Sequence, residues 1–143
     1  MRLWHKDLIS VLPKNQLMGQ WRECCLIAKN IADKGTPNHI LVNKIMDYSL
    51  SHFFHYAQMI EAETLYRGYR CDFQKFFEHF RRACQVDIRT NFDKSEVFCD
   101  WHNDRYFIQC VHNLEEKYDC GGITAEEWGR IEKKWFKWIE GDC

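Results

Sequence analysis

Apolar residues recur every three or four positions along most of this chain, and no stretch alternates between apolar and polar residues. Spacing of three and four places apolar side chains on one face of a helix, whereas a half-buried strand requires alternation. The sequence therefore predicts an all-α fold, a single compact domain over residues 1–143 with about five helices. Residues 1–12 lack this periodicity and are expected to form an extended N-terminal segment.

Capping residues and glycines set the ends of the five predicted helices. Asn15 is a candidate cap for the first helix, which Gly35 ends, and Asp72 is the candidate cap for the third. Thr124 and Glu127 resemble a capping box before the last helix. The predicted helices cover about 16–32, from Ser49 or Ser51 to about 67, about 73–84, from Asn103 or Asp104 to about 118, and about 125–139, with a helical turn within 38–47 and irregular chain over 85–101.

Each predicted helix has one apolar face that is expected to pack in the core. Aromatic residues are prominent on these faces and make up 15% of the chain, enough to build a substantial core. The expected inward residues are Leu17, Trp21, Cys24, Ala28 and Ile31; Phe53, Tyr56, Ala57, Ile60, Thr64 and Leu65; Phe73, Phe76, Phe77 and Phe80; Phe107, Ile108, Val111 and Leu114; and Trp128, Ile131, Trp135 and Trp138.

Charge and cysteine content limit the possible classes of function. Twenty Lys and Arg stand against 21 Asp and Glu, whereas a nucleic-acid-binding protein is usually basic. A DNA-binding surface on this chain would therefore require its charges to be segregated locally. The eight cysteines come without an apolar leader near the start, which favours reduced thiols in a cytoplasmic protein. No run of 18 apolar residues occurs, so no membrane span is expected.

The first helix carries the most informative polar residues. Gln16, Gln20 and Glu23 are separated by four and three positions, so they share one helical face. Glu23 adjoins the expected core residue Cys24, and a carboxylate at the edge of the core is suited to acid/base chemistry. The alternative is a solvated glutamate paired with a neighbouring base, which composition alone favours. Arg22 lies about 100° around the helix and could meet a phosphate or simply face solvent.

This helix also carries a recognisable motif. Residues 17–23, Leu-Met-Gly-Gln-Trp-Arg-Glu, resemble the first-helix motif of the phage-type endonuclease V family, the pyrimidine-dimer DNA glycosylases. Three later segments resemble the same family in the same order. They are residues 62–69, residues 103–104 together with 114–117, and residues 135–138.

The resemblance implies a DNA-repair glycosylase with a coupled abasic-site lyase activity. Members are compact all-α monomers that use no metal or cofactor and act on double-stranded DNA at pyrimidine dimers, where they kink the duplex and flip out a base. Their N-terminal α-amine attacks the sugar carbon and forms a Schiff base. Carried over to this chain, the resemblance implies catalytic roles for Met1, Arg2 and Glu23, and DNA contacts for Gln16, Arg22, His102, Lys117, Trp135, Lys137 and Trp138.

Three positions depart from the family pattern. The family's nucleophile is the amine of a small residue that Met removal exposes, whereas Arg2 is large, so the amine here would belong to Met1. Two arginines of the family fall on Leu26 and Asn113 in this chain. These departures motivate an alternative function, a non-catalytic helical module that binds DNA or protein and lacks a usable nucleophile.

Two other groups of residues have competing interpretations. Cys99 and His102, followed by Cys110 and His112, have spacings found at zinc sites. Residues two apart on a helix point to different faces, however, so buried free thiols are favoured over a metal site. His102 could instead cap the following helix or contact DNA. The aromatic and basic tail, residues 133–138, could stack on unpaired bases. As an isolated feature it is better explained as part of an amphipathic last helix.

Overall fold

The computed structural model describes residues 1–85 and 87–141, and most of these residues are helical. No strand occurs within these two ranges, so the predicted all-α class is confirmed. A short 3₁₀ helix follows the extended N-terminal residues, as the lack of longer periodicity there allows. The elements are a 3₁₀ helix Lys6–Val11, α1 Lys14–Lys34, a 3₁₀ helix Asn43–Asp47, α2 Leu50–Tyr66, α3 Phe73–Ala83, a 3₁₀ helix Lys94–Glu96, α4 Asp104–Asp119 and α5 Ala125–Ile139.

The predicted helix ends are largely confirmed, with one error at the start of α1. Pro13, not Asn15, precedes the first helical residue, because a proline needs no N–H partner and its fixed φ leads directly into a helix. The N–H of Lys14 donates to Glu127 Oε2 at 3.2 Å, so α5 satisfies this free donor. Gly35 ends α1 in the left-handed conformation, and the expected capping residues Asp72, Asn103 and Thr124 each accept a backbone N–H.

One hydrophobic cluster runs from Leu3 to Ile131 and joins all five α-helices. α1 packs against α2 and α3, while the N-terminal 3₁₀ helix lies against α2 and α5. The predicted inner faces are buried or partly buried, except at Leu65 and Ile108, which are 52% and 36% exposed. Each follows a fully buried residue and therefore points about 100° away from the core.

Two buried histidines hold the N-terminal 3₁₀ helix against the segment before α4. His102 Nδ1 accepts the N–H of Lys6 at 2.9 Å, and His5 Nδ1 accepts the N–H of Asp7 at 3.1 Å. The protonated Nε2 of His5 therefore donates to the carbonyl of His102 at 2.9 Å. Burial lowers the pKa of His5 and holds the pKa of His102 well below its ordinary value. Both rings are thus kept neutral, as two Nδ1 acceptors require.

The burial of His102 predicts a loss of stability in mild acid. Below about pH 6.5 the unfolded chain protonates this histidine while the folded state does not, so protons favour unfolding. The free energy of unfolding should fall from pH 7 to pH 5 with a slope approaching about 1.4 kcal/mol per pH unit for one proton. His102→Asn keeps an acceptor near Nδ1 without titrating, and chemical denaturation at each pH should show a shallower dependence.

His112→Asn is the matched control, because His112 is exposed on α4. This variant should retain the pH dependence of the parent protein. An unchanged slope in the His102→Asn protein would contradict the assignment of the acid sensitivity to His102.

Candidate active site

The extended N-terminal segment is buried without a neighbouring strand. Leu3, Trp4 and His5 are at most 6% exposed, so their backbone N–H and C=O groups need partners inside the protein. Gln20 of α1 supplies two of them. Its Oε1 accepts the N–H of Trp4 at 2.8 Å, and its Nε2 donates to the carbonyl of Arg2 at 2.9 Å. The side-chain amide of Gln20 therefore takes the place of a strand partner.

Two tyrosines satisfy the next carbonyl groups of the same segment. The hydroxyl of Tyr106 in α4 donates to Leu3 at 2.5 Å, and that of Tyr56 in α2 donates to Trp4 at 2.6 Å. Burial raises the pKa of both hydroxyls far above the ordinary range. Both remain protonated donors at any physiological pH, so the segment is held from three helices.

Arg67 holds the far end of the N-terminal region. Its guanidinium donates to the carbonyls of Leu12 at 2.7 Å, Ser10 at 3.2 Å and Ile9 at 3.3 Å, where the 3₁₀ helix ends. Glu63, one helical turn earlier in α2, pairs with it at 2.8 Å. These contacts give residues 62–69 a structural role: they hold the N-terminal region.

Glu23 lies beside the fixed N-terminal segment. The Nε2 of Gln20 that donates to Arg2 also lies 3.3 Å from Glu23 Oε2, so one amide nitrogen joins the N-terminal backbone to this carboxylate. Glu23 is half-buried, with room to meet a substrate. Gln16, two turns before Glu23, has a buried Oε1 with no hydrogen-bond partner among the described residues. The structure thus brings Gln20 and Glu23 together at the start of the chain.

The two arginines of interest differ in exposure. Arg2 is half-buried, its guanidinium lies over the Trp4 ring at 5.3 Å, and its Nη1 is 4.0 Å from Cys110 Sγ. Burial raises the pKa of the Cys110 thiol and Arg2 lowers it in part, so the thiol stays neutral and acts as a packing group. Arg22 is exposed, and its guanidinium lies beside Gly19. Arg22 is therefore the arginine available to an external anion.

The C-terminal candidates lie on α4 and α5. Lys117 and Lys137 are exposed, whereas Trp135 and Trp138 are half-buried. Trp138 stacks on Phe107 with ring centroids 4.5 Å apart, and Trp135 meets the His112 ring edge-on at 5.8 Å. Among the described residues, no hydrogen bond or ring contact joins these four side chains to Glu23. The tail therefore packs as the amphipathic helix expected from its spacing.

His102 neither caps α4 nor lies at a surface that DNA could contact. Asn103, not His102, caps α4. The His102 ring is 5% exposed; Nδ1 accepts Lys6 and Nε2 is enclosed. A buried ring offers no surface to a duplex, so the expected DNA contact at this position is replaced by an internal one. Across residues 1–85 and 87–141, no three potential metal ligands converge, so the zinc spacing of Cys99, His102, Cys110 and His112 builds no site there.

One cavity lies apart from Glu23. Its volume is about 850 Å³, and it opens between the N-terminal 3₁₀ helix, α2 and the segment before residue 98. Met1, Gln20 and Glu23 are not among its lining residues. The hydrogen bonds of Gln20 with the N-terminal backbone and Glu23 define the candidate site, and this cavity lies outside it.

A family model for pyrimidine dimer DNA glycosylase matches residues 1–76. The chain belongs to this family. The region matched by the glycosylase family model contains Met1, Arg22, Glu23 and Arg67, whereas Lys117 and the C-terminal tail lie beyond it. No curated protein and no solved structure matches the chain. Among the described residues, no helix combines the length and apolar character that crossing a bilayer requires.

Sequence reasoning placed Gln20 on the same face as Glu23 but did not identify the other residues that support this site. Tyr56 is on the predicted core list, and Tyr106 and Arg67 carry no predicted role. The available signal is that a buried tyrosine needs a hydrogen-bond partner for its hydroxyl. That rule points to Tyr56 but does not name Trp4 as its partner.

Arg67 and Arg130 allow a matched test of how the N-terminal region is held. Both are arginines paired with a glutamate one helical turn earlier, but Arg130 is more than half exposed and donates to no backbone carbonyl in the described chain. Arg67→Met should lower the free energy of unfolding by about 2–4 kcal/mol, because it leaves buried acceptors unpaired. Arg130→Met should cost about 0.5 kcal/mol or less. Equal losses in denaturant unfolding would contradict the role given to Arg67.

Proposed function

We propose that this protein excises pyrimidine dimers from double-stranded DNA and nicks the strand at the resulting abasic site. The Met1 amine is the nucleophile, and Glu23 is the catalytic acid. The observation that carries the proposal is the bridge through Gln20 Nε2, which holds the Arg2 carbonyl and Glu23 Oε2 around one nitrogen atom. This bridge fixes the backbone one residue after the proposed nucleophile beside the Glu23 carboxylate.

The chemistry suits a terminal amine. An α-amine keeps a neutral, nucleophilic fraction near pH 7, whereas a lysine needs strong perturbation to do so. The lone pair of the amine attacks C1′, the base leaves with the electrons of the glycosidic bond, and sugar-ring opening gives a protonated imine. Loss of a C2′ proton then expels the 3′ phosphate, and water releases the amine. Glu23 supplies and removes protons in these steps.

DNA binding is proposed to use exposed basic side chains together with the aromatic residues of the tail. Arg22 and Gln16 of α1, the exposed Lys117 and Lys137 and the two half-buried tryptophans of the tail are the proposed DNA contacts. The formal net charge of -1 requires this surface to be a local basic region. We infer that binding is weaker and more salt-sensitive than in a uniformly basic protein. The enzyme acts as a cytoplasmic monomer and needs no metal or cofactor.

Borohydride trapping tests the covalent step directly, because borohydride reduces an imine to a stable adduct. The parent protein should form an adduct with duplexes that carry a pyrimidine dimer or an abasic site. Peptide mass spectrometry should place that adduct on the Met1 amine. Glu23→Gln should slow dimer excision by at least about 100-fold, whereas Glu115→Gln, a half-buried glutamate of α4, should leave it unchanged.

The outcomes separate the proposal from its alternative. Trapping on abasic DNA alone would retain the lyase and remove the dimer specificity. Absence of an adduct with both substrates, while the duplex is still bound, would indicate the non-catalytic binding module. An adduct on a lysine instead of the terminus would overturn the role of Met1.

Salt dependence tests the proposed contact of Arg22 with a phosphate. Each phosphate contact contributes about 0.9 to the slope of log affinity against log salt concentration. Arg22→Ala should therefore lower that slope by about 1 between 50 and 200 mM salt, measured by fluorescence anisotropy with a labelled duplex. Arg81→Ala, an exposed arginine at the end of α3, is the control and should keep the parent slope. Equal slopes for Arg22→Ala and the parent protein would remove Arg22 from the interface.

A further inference from the structure

We infer that Gln20 is a positioning residue for the reaction, because its side-chain amide holds the Arg2 carbonyl, one residue after the proposed nucleophile, beside the Glu23 carboxylate. This inference rests on the proposed function. It assigns Gln20 no contact with the substrate. Its role is to hold two reacting groups in one geometry, and small displacements of reacting groups are costly to catalysis.

The side-chain amide of Gln20 is fully used and has one possible orientation. Trp4 presents an N–H, which requires Gln20 Oε1 as its acceptor at 2.8 Å. The Tyr56 hydroxyl lies 3.0 Å from the same oxygen. Nε2 is then directed at two acceptors, the Arg2 carbonyl at 2.9 Å and Glu23 Oε2 at 3.3 Å. Gln20 is 1% exposed, so water does not offer its groups an alternative.

Other residue types cannot make this set of bonds. The site needs two acceptor positions on one terminal atom and two N–H donors on the other, which a glutamine side chain provides. A glutamate would keep the acceptors, lose both donors and bring a second carboxylate next to Glu23. A methionine would fill similar space without any of the four contacts. These two replacements therefore remove different parts of the function of Gln20.

The bond from Gln20 also determines which oxygen of Glu23 is available. Oε2 is directed toward the amide of Gln20, whereas Oε1 has no hydrogen-bond partner among the described residues. The carboxylate thus keeps one oxygen for the substrate and uses the other as its anchor. A carboxylate held by one oxygen can transfer a proton through the other without changing its orientation.

The experiment measures single-turnover borohydride trapping on abasic-site DNA as a function of pH for Gln20→Met and Gln20→Glu. Gln20→Met should lower the trapping rate by about 10- to 100-fold while the Kd for the duplex changes by less than about threefold. Gln20→Glu should move the acidic limb of the pH profile upward by about 1 unit, because two neighbouring carboxylates disfavour each other's ionisation. Cys24 and Tyr56, which interact electrostatically with Glu23, are unchanged in both variants.

Gln58 provides the matched controls, because it is a half-buried glutamine of α2 that lines the large cavity. Gln58→Met and Gln58→Glu should keep the parent rate and pH profile. Thermal unfolding of every variant identifies a protein that has lost its fold. If Gln20→Met fails to fold, the pH profile of Gln20→Glu decides the inference, since a purely structural residue would not move that profile.

The failure of this inference differs from the failure of the proposed function. If the parent protein forms no adduct, the proposed function falls and the inference falls with it. If the parent protein forms the borohydride-reduced adduct and both Gln20 variants keep its trapping rate and pH profile, Gln20 is not a positioning residue. The proposed function would then still stand. A lower rate in Gln20→Glu with the parent pH profile would indicate a structural role and would also overturn the inference.

Discussion

The fold depends on the need to hydrogen-bond a buried, extended backbone that has no strand beside it. An unpaired buried carbonyl or amide costs about 1–3 kcal/mol, so residues 2–6 could not remain inside a helical protein without partners. The partners are side chains that converge from α1, α2, α4 and the segment before α4. Because most of these donors and acceptors come from helices, the N-terminal segment is held in place without a sheet. A chain end, ordinarily the least ordered part of a protein, is thereby given a defined position.

Most of the helical architecture follows from local sequence rules. Spacing of three and four locates the buried faces, and Asp72, Asn103 and Thr124 cap the helices that their side chains predict. The errors have local causes as well. Asn15 is a good capping residue in general, but Pro13 precedes it and starts α1 earlier. Leu65 is apolar like its neighbours and lies outside the buried arc of α2 because one residue is a turn of about 100°.

The candidate site is only partly visible in the sequence. The four-and-three spacing of Gln16, Gln20 and Glu23 places them on one face, because that relation is local to α1. The contacts that hold the N-terminal segment join residues far apart in the sequence, such as Leu3 and Tyr106, which are 103 positions apart. Tyrosine and arginine occur in many settings, so neither residue type identifies its carbonyl partner before the fold is known. The same holds for His102, whose spacing from Cys99 is typical of a zinc ligand although its ring nitrogen accepts a backbone N–H.

The anchoring of the N-terminal segment has a consequence for the order of events during synthesis. The carbonyl of Leu3 receives its hydrogen bond only when Tyr106 has been translated and α4 has formed. At about 5–20 residues per second, the ribosome needs roughly 5–20 s to add the intervening chain. During that interval the terminus is undocked and open to enzymes that modify nascent chains. The terminal amine can therefore be modified before the N-terminal segment is fully docked.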